Sequence, residues 1–377
     1  MGQLRGRPVT VVGGGIGGLT VALCLAQRGA RVTVLERAAA FTDIGAGVQI
    51  TPNGAVVLAA LGLGPALDRV SVRAQAVCPT DALTGRQLAR FDLTKLRGEP
   101  YRFIHRADLI DVLAVACAAA GIDLRLGVMY EPLLLTDHLT IGADGLHSVI
   151  RPMLNGPATP FFTGQVAWRT VIRADAPAVA QIWMAPGRHV VTYPLAGGML
   201  NIVAVREQAD WAAEGWSHPA DPDTLRATFA DCSADLQNIL NGVTETRLWG
   251  LFRHAVAPIW HRGNAALLGD AAHPTLPFLA QGANLAIEDA WVLAACADGP
   301  GLAAYQAARR PRVIRAIAAA NANARNYHLG GLQRSVAHTG LRLIGAVAPG
   351  MFLRRLDWLY AHDVTQSYAF NAIQTGT

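Results

Sequence analysis

The stretch Val9–Glu36, VTVVGGGIGGLTVALCLAQRGARVTVLE, carries the strongest fold signal in this 377-residue chain. It begins with an apolar run that predicts a strand over Val9–Val12, followed by a glycine cluster and a helical pattern over Leu19–Gln27. Gly29 ends that helix, and Arg31–Leu35 predicts a second strand. The order of strand, glycine loop, helix and strand is typical of a dinucleotide-binding β-α-β unit.

The loop of this unit, GGGIGG at residues 13–18, fits the pattern G-x-G-x-x-G. Gly13 permits the tight turn, Gly15 lets the backbone approach a pyrophosphate, and Gly18 allows close packing of helix on strand. Glu36 ends the second strand, where a carboxylate can accept hydrogen bonds from an adenosine ribose and would repel a 2′-phosphate. The alternative is a glycine-rich turn beside an exposed glutamate. The loop alone does not separate FAD from NAD.

The composition is that of a globular protein, with 52% hydrophobic and 16% charged residues, and the length suggests two or three domains. The net charge is +5, and Lys95 is the one lysine among 32 basic residues. We attribute the arginine excess to genomic bias and solvated charge and predict no nucleic-acid partner, because a nucleic-acid protein usually clusters its positive charge. The one dense group lies on an alanine-rich helical stretch and comprises Arg309, Arg310, Arg312 and Arg315.

The five cysteines are odd in number and show no C-x-x-C spacing, which argues against a disulfide framework or a zinc site and favours a cytoplasmic location. No apolar run reaches the roughly 20 residues of a membrane helix, so we predict no membrane partner. No H-E-x-x-H or Cys/His cluster is present, and we predict no metal site.

The remaining patterns predict an α/β fold with a discontinuous nucleotide-binding domain. A helix is expected over Asp108–Ala120 and strands over Ile122–Leu126, Leu139–Ala143 and Ala265–Leu268. Short β-rich segments between about 160 and 258 predict an antiparallel sheet, and the tail from 302 is helical. The expected domains are a Rossmann-like nucleotide-binding domain (1–73, 101–158 and 259–305), a β-rich substrate domain (74–100 and 159–258) and a helical C-terminal region (306–377).

Two further motifs follow predicted strands, GADGLHSVIR at 142–151 and GDAAHPTLPFLAQGANLAIEDA at 269–290. With the glycine loop, they make the chain resemble the class A FAD-dependent aromatic monooxygenases of the p-hydroxybenzoate hydroxylase fold. Within them it is most similar to the branch of salicylate hydroxylase and 6-hydroxynicotinate 3-monooxygenase. The resemblance implies that the Rossmann-like domain binds FAD and that NADH or NADPH and O2 are co-substrates.

Several residues gain a cofactor role from this resemblance. Asp270 would hydrogen-bond the ribityl hydroxyls, and the amides of Gly282, Ala283 and Asn284 would stabilise negative charge on the reduced flavin. Arg106 matches an arginine near the pyrophosphate, with a surface salt bridge to Asp108 as the alternative. Asp144 is placed near the flavin, with a structural cap near Ser148 and Arg151 as the alternative. Further expected FAD contacts are Arg37, Val48, Gln49 and Val128.

The segment His189–Pro194 brings two titratable side chains to one face if it is a strand, because His189 and Tyr193 then point the same way. Hydroxylation needs an electron-rich ring, so His189 would take the proton of a ring hydroxyl and Tyr193 would orient that hydroxyl. The alternative is a structural histidine beside a core tyrosine. Arg169 and Arg188 are both candidate partners for a substrate carboxylate.

The chain is short between Gly121 and Gly142, where the resembled family places a β-hairpin, so most of that hairpin is expected to be missing. A true deletion and an omitted stretch are both open at this point.

We therefore predict a flavoprotein that hydroxylates an aromatic or heteroaromatic hydroxy acid, salicylate-like or 6-hydroxynicotinate-like, through a C4a-hydroperoxyflavin; the resemblance also allows a homodimer. One alternative is a flavin-dependent reductase or oxidase that inserts no oxygen. Another is a non-enzymatic dinucleotide sensor, against which the two later motifs argue.

Overall fold

The structure is a computed structural model that describes residues 2–41, 46–131, 138–211 and 217–368. Its strands are β1 (Pro8–Val12), β2 (Arg31–Glu36), β3 (Gly47–Ile50), β4 (Ser71–Arg73), β5 (Ala76–Asp81), β6 (Phe91–Asp92), β7 (Arg102–His105), β8 (Asp123–Leu126), β9 (Leu139–Gly142), β10 (Phe161–Arg173), β11 (Val179–Ala185), β12 (Arg188–Leu195), β13 (Met199–Glu207), β14 (Ser217–Ala220), β15 (Thr246–Arg253), β16 (His261–Arg262) and β17 (Ala265–Leu267).

Its helices are α1 (Ile16–Gln27), α2 (Pro52–Ala60), α3 (Gly64–Val70), α4 (Arg106–Ala119), α5 (Arg151–Asn155), α6 (Pro222–Thr228), α7 (Ala234–Asn241), α8 (Gly282–Ala297), α9 (Leu302–Tyr327), α10 (Gly331–Val347), α11 (Pro349–Arg354), α12 (Asp357–Tyr360) and α13 (Val364–Ser367). Single 3₁₀ turns lie at Leu93–Lys95, Gly269–Ala271 and Pro277–Leu279.

A six-stranded sheet with the order β16-β17-β9-β1-β2-β8 forms the nucleotide-binding half. Its strands from β17 to β8 pair in parallel, and the described edge strand β16 is antiparallel. Because parallel strands end at the same edge of a sheet, this edge gathers the residues that end or follow β1, β2, β9 and β17. Those residues are Gly13, Glu36, Asp144 and Asp270.

An eight-stranded sheet with the order β14-β15-β10-β13-β12-β11-β5-β6 forms the second half, and a small antiparallel sheet, β3-β7-β4, is formed by strands that flank β5 and β6 in sequence. Helices α6 and α7 bury Leu225, Leu236 and Leu240 in a cluster with Trp168 of β10 on one face of the large sheet. The other face carries Arg169, His189 and Tyr193 and borders a large cavity. The large sheet therefore supplies one wall of a site whose remaining walls come from other elements.

The predicted α/β fold is confirmed, with two local corrections. The predicted β-α-β unit is present, and α1 begins at Ile16 rather than at Leu19. The strands between about 160 and 258 pair antiparallel as predicted, and the large sheet is extended by β5, which pairs in parallel with β11. After β5 and β6 the chain passes through the nucleotide-binding half before it returns to the large sheet at β10, so no hairpin joins β5 to β11. Helices α6 and α7 were not predicted. The exact domain boundaries stay a prediction.

Glycine is required at both ends of the nucleotide loop. Gly13 has a φ of +105°, and a Cβ added there would lie 2.4 Å from the carbonyl oxygen of Ala143. A Cβ on Gly18 would lie 1.9 Å from the carbonyl oxygen of Gly13. Gly18 thus lets α1 pack directly against the turn that leaves β1, as its place in the motif predicts.

The five cysteines are buried and free, and no helix in the described ranges is long and apolar enough to cross a membrane. Burial raises the pKa of the Cys24 and Cys117 thiols to about 12, so both stay in the thiol form near neutral pH.

Helices α8 and α9 are joined by an ion network in which Glu288, Asp289 and Arg309 are buried and Arg312 is partly exposed. Arg309 of α9 binds Glu288 at 2.5 Å and Asp289 at 2.7 Å, and Arg312 binds both oxygens of Glu288 at 2.8 and 2.7 Å. The general attribution of the arginine excess to solvated charge therefore does not hold for Arg309, which is 1% exposed. Burial alone would raise the pKa of Asp289, but the charges and hydrogen bonds of His273 and Arg309 outweigh it and hold the pKa at about 2.

The substitution Asp289→Asn is expected to lower the free energy of unfolding by about 3–5 kcal/mol, because it leaves the guanidinium of Arg309 buried with less compensating charge. The low pKa also makes the wild-type contribution of Asp289 pH-dependent. The stabilising contribution of Asp289 is fully present at pH values above 3.8, the ordinary pKa of an aspartate, and it is lost as the pH falls towards the folded-state pKa of about 2. Denaturant unfolding between pH 2 and 7 measures both effects.

The matched control is Asp357→Asn, which removes an exposed salt bridge to Arg97 with an N–O distance of 2.9 Å. Its expected cost is at most about 1 kcal/mol. Equal losses for the two variants would contradict a special role for the buried network.

Candidate active site

One cavity of about 820 Å³ joins the two halves of the molecule. Its walls come from the carboxyl edge of the parallel sheet, from the inner face of the large sheet and from the loop between β17 and α8. Residues of α9, α10 and α11 complete the lining. A continuous space therefore extends from the nucleotide loop to the strand that carries His189.

Twelve of the fourteen predicted cofactor residues line this cavity. They are Gly13, Gly15, Glu36, Arg37, Val48, Gln49, Arg106, Val128, Asp144, Asp270, Gly282 and Ala283. Gly18 and Asn284 are outside the lining. Gly18 lies beneath the turn, and Asn284 uses its buried side chain to join β3 to the start of α8, through bonds to Thr51 N (3.0 Å) and Gln49 O (2.9 Å).

The nucleotide end of the cavity combines open space with hydrogen-bonding groups. A Cβ on Gly15 would meet no atom within 4 Å, so the surface of the loop is open at this point. Glu36 accepts bonds from Gly14 N at 2.6 Å and Ala38 N at 2.8 Å, which fixes its carboxylate at the end of β2. A carboxylate has about four acceptor positions, so Glu36 retains capacity for ribose hydroxyls.

The opposite end of the cavity contains both predicted substrate residues. His189 and Tyr193 of β12 line it together with Val191, as the alternation of side chains along a strand predicts. Burial raises the pKa of Tyr193, while the charge of Arg169 opposes that shift, so the side chain stays a phenol that can donate a hydrogen bond. Burial and the neighbouring His328 lower the pKa of His189 well below 6.5, so its ring is neutral near pH 7.

The structure distinguishes between Arg169 and Arg188, the two candidate partners for a substrate carboxylate. Arg169 lines the cavity from β10, and its guanidinium lies 5.7 Å from the ring centre of Trp249. Arg188 instead pairs with Asp231 at the surface and is not among the cavity residues. Arg169 is therefore the arginine that can meet a ligand beside Tyr193.

Comparison with known proteins gives the family. Residues 7–137 and 134–320 match the family described as FAD binding domain. A 3-amino-4-hydroxybenzoate 2-monooxygenase of Streptomyces platensis is 38% identical and covers 85% of this chain and 88% of its own length. This chain is a class A flavin-dependent aromatic monooxygenase. The junction of the two matched segments falls within the short region 121–142 identified in the sequence.

Two further similarities cover nearly the whole monooxygenase. A 3-hydroxybenzoate 6-hydroxylase of Aquipseudomonas alcaligenes is 30% identical over 96% of this chain and 99% of its own. A crystal structure of a variant of Klebsiella pneumoniae HpxO complexed with FAD superposes with a TM-score of 0.78 at 26% identity, covering 92% of this chain and 97% of the other. The predicted family, fold and FAD cofactor are thereby confirmed, and the enzyme is an NAD(P)H-dependent flavoprotein monooxygenase.

The residues present in the monooxygenase fit FAD. Arg37 and Arg106 add positive charge to the cavity near the glycine loop, as a pyrophosphate requires. The amides of Gly282 and Ala283 belong to the first turn of α8 and have no acceptor within the helix. Burial raises the pKa of Asp270, although the charges of His273 and Arg106 oppose the shift.

Two orphaned polar atoms support the same fit. Thr275 Oγ1 and Asp144 Oδ1 are buried at the cavity without a hydrogen-bond partner in the described ranges. A buried polar atom without a partner is costly, so a polar cofactor that bonds to them stabilises the site. Asp144 also accepts a bond from Val149 N at 2.7 Å, so it acts as a local cap as well as lining the cavity. Thr275 was not predicted from the sequence, although its place in the motif at 269–290 could have indicated it.

We expect Gly15→Ala to weaken FAD binding by at least about tenfold, which corresponds to about 1.4 kcal/mol, because the new methyl group occupies the open space where the cofactor backbone approaches. Quenching of flavin fluorescence during titration of the apoprotein measures the affinity. Gly64→Ala is the control, since its Cβ would also meet no atom within 4 Å but lies outside the cavity lining. An FAD affinity equal to that of the control would refute the assigned role of Gly15.

Proposed function

We propose that this monooxygenase hydroxylates a hydroxybenzoate or a closely similar aromatic acid that carries a ring hydroxyl. The observation that carries the proposal is the meeting of His189, Tyr193 and Arg169 at one end of the cavity whose other end holds the predicted FAD residues. The related proteins from Streptomyces platensis and Aquipseudomonas alcaligenes are named for 3-amino-4-hydroxybenzoate and 3-hydroxybenzoate, both aromatic acids with a ring hydroxyl. These two compounds are the first candidate substrates, and 6-hydroxynicotinate and salicylate are the next.

His189 is the proposed proton acceptor for the ring hydroxyl. Its ring is neutral near pH 7, so one ring nitrogen has a lone pair that can accept the proton, whereas the lowered pKa disfavours a ring that keeps the positive charge. The resulting phenolate has more electron density ortho and para to the oxygen. Tyr193 donates a hydrogen bond to the same oxygen and orients it. Phe103 packs against the Tyr193 ring with centroids 5.1 Å apart and limits its movement.

Arg169 is the proposed partner of the substrate carboxylate. A guanidinium binds a carboxylate through two parallel hydrogen bonds, which fixes both the position and the rotation of the ring. Apolar side chains form the walls between the polar groups and suit the faces of an aromatic ring; they include Ile182, Met184, Val191, Val203 and Phe278.

FAD, when bound, supplies the oxidising chemistry after reduction by NADH or NADPH and reaction with O2. We propose that Arg37 and Arg106 hold its pyrophosphate, that Glu36 holds the ribose, and that Asp270 binds the ribityl chain. The start of α8 would then face the flavin ring and stabilise negative charge there. A homodimer and a cytoplasmic location stay predictions.

Purified protein loaded with FAD is expected to be yellow and to oxidise NADH or NADPH faster when 3-amino-4-hydroxybenzoate or 3-hydroxybenzoate is added. Hydroxylated product should form in proportion to the nicotinamide consumed, which chromatography and mass spectrometry measure. Peroxide formation without hydroxylated product across the panel of hydroxybenzoates and hydroxynicotinates would instead support a flavin oxidase.

Arg169→Gln is expected to raise KM for the carboxylated substrate by about ten- to hundredfold, because a charge-assisted bidentate contact contributes about 1.5–3 kcal/mol. A phenol of the same ring pattern without the carboxylate should lose much less. Arg188→Gln is the control, since it removes an arginine that pairs with Asp231 outside the cavity. Equal losses for the acid and for the phenol would show that Arg169 does not bind the carboxylate.

A further inference from the structure

A chain of hydrogen bonds leads from the cavity to the protein surface through His189. The Nδ1 atom of His189 lies 2.7 Å from Nε2 of His328, and Nδ1 of His328 lies 2.9 Å from Oε1 of Glu207. His189 is 2% exposed and lines the cavity, whereas the Glu207 side chain is 58% exposed. The three groups thus connect the proposed base with solvent.

We propose that His328 and Glu207 are positioning residues that prepare His189 as the base and carry the substrate proton between the cavity and solvent. This inference rests on the proposed function, in which His189 accepts the proton of a ring hydroxyl. It adds two residues that lie far from His189 in the sequence and outside the motifs of the family.

The acceptor chemistry of Glu207 fixes the protonation of both rings. An ionised carboxylate only accepts hydrogen bonds, so Nδ1 of His328 carries the proton in the bond to Glu207. In a neutral ring, Nε2 of His328 is then an acceptor, and Nδ1 of His189 must donate to it. Nε2 of His189 is left without a proton and is the nitrogen available to a cavity ligand.

The hydrogen-bonded chain of His189, His328 and Glu207 can carry a proton from the cavity to solvent, with one bond to hydrogen broken for each one formed. The O–H bond of the substrate breaks as an N–H bond forms at Nε2 of His189. The proton on Nδ1 passes to Nε2 of His328, and the proton on Nδ1 of His328 passes to Glu207, which releases it to water. No electron is transferred in these steps, and the reverse sequence returns a proton to the product and restores both rings.

The surroundings favour neutral histidines and hold them in place. The ring of His189 contacts Phe278, Tyr327 and His328 with centroid distances of 5.5, 5.2 and 4.9 Å. Burial raises the pKa of Tyr327 to about 12, so it stays neutral and Glu207 is the one charged group recorded beside the pair in the described ranges. The carbonyl of His328 accepts a bond from Gly187 N at 3.1 Å, which anchors it beside the start of β12.

Nitrogen-15 NMR of the FAD-loaded protein, with labelled histidine, tests the arrangement without any substrate. The expected spectrum has Nδ1 of His189 protonated and Nε2 unprotonated, with His189→Gln and His328→Gln used to assign the signals. In Glu207→Leu the preference of His328 for the Nδ1 proton should disappear. Protonation of Nε2 of His189 in the wild type, or an unchanged His328 spectrum in Glu207→Leu, would overturn the proposal.

Stopped-flow absorbance during binding of 3-hydroxybenzoate tests proton transfer. The appearance of bound phenolate should be about ten- to hundredfold slower in Glu207→Leu and His328→Gln, which is at or below the lower end of what a general base itself contributes, because both residues act through His189. Asp235→Asn, which removes an exposed carboxylate from the same half of the molecule, should leave the rate unchanged. If the wild type forms bound phenolate and Glu207→Leu forms it at the same rate, the proton path is refuted while the role of His189 as base is not. A wild type that forms no phenolate would refute the role of His189 as base, and with it this proposal.

Discussion

The buried pairing of Glu288 and Asp289 with Arg309 and Arg312 joins α2, α8, α9 and the loop that carries Asp270. Asp289 accepts bonds from His273 at 2.5 Å and from the amide of Gly269 at 3.2 Å, so the loop that carries Asp270 is fixed by the same carboxylate that binds α9. Glu288 accepts a bond from Asn53 of α2 at 2.5 Å. A buried carboxylate pair is stable only when its charges are compensated, so these elements have to keep one relative arrangement.

Helix α9 transmits this arrangement to the substrate end of the cavity. It extends from Leu302 to Tyr327, and Arg309 and His328 are separated by about 28 Å at 1.5 Å per residue. Arg309 fixes the rotation of the helix at one end, so Asn323, Asn326 and Tyr327 face the cavity at the other. The bond between His328 and His189 then joins the end of α9 to the large sheet. Helix α9 therefore connects the loop that carries Asp270 to His189, the proposed base.

The sequence predicted the features whose signals are local. The glycine loop, the acids that follow or end strands, and the pairing of His189 with Tyr193 on one face all depend on short spacings. The burial of Arg309 was missed because an arginine on an alanine-rich helix resembles solvated charge, and its partners lie 20 and 21 residues away on another helix. His328 was missed for the same reason, since 139 residues separate it from His189. The choice between Arg169 and Arg188 needed the faces of β10 and β12, which both pair with β13, and an isolated sequence pattern does not give them.

The region between β8 and β9, where the sequence predicts that most of a β-hairpin is missing, lies partly outside the described residues. The link must pass β2 and β1 to join two strands that are three strand spacings apart, about 14 Å. Residues 127–138 can span about 40 Å when extended, so the crossing needs no hairpin. None of the described residues 127–131 is in a strand, yet Val128 N bonds to Glu36 O at 2.9 Å and Gly127 N to Ala38 O at 2.9 Å. These bonds hold Val128 beside Glu36 on the cavity wall, so the proposed adenosine end of the site is built from the described start of the link.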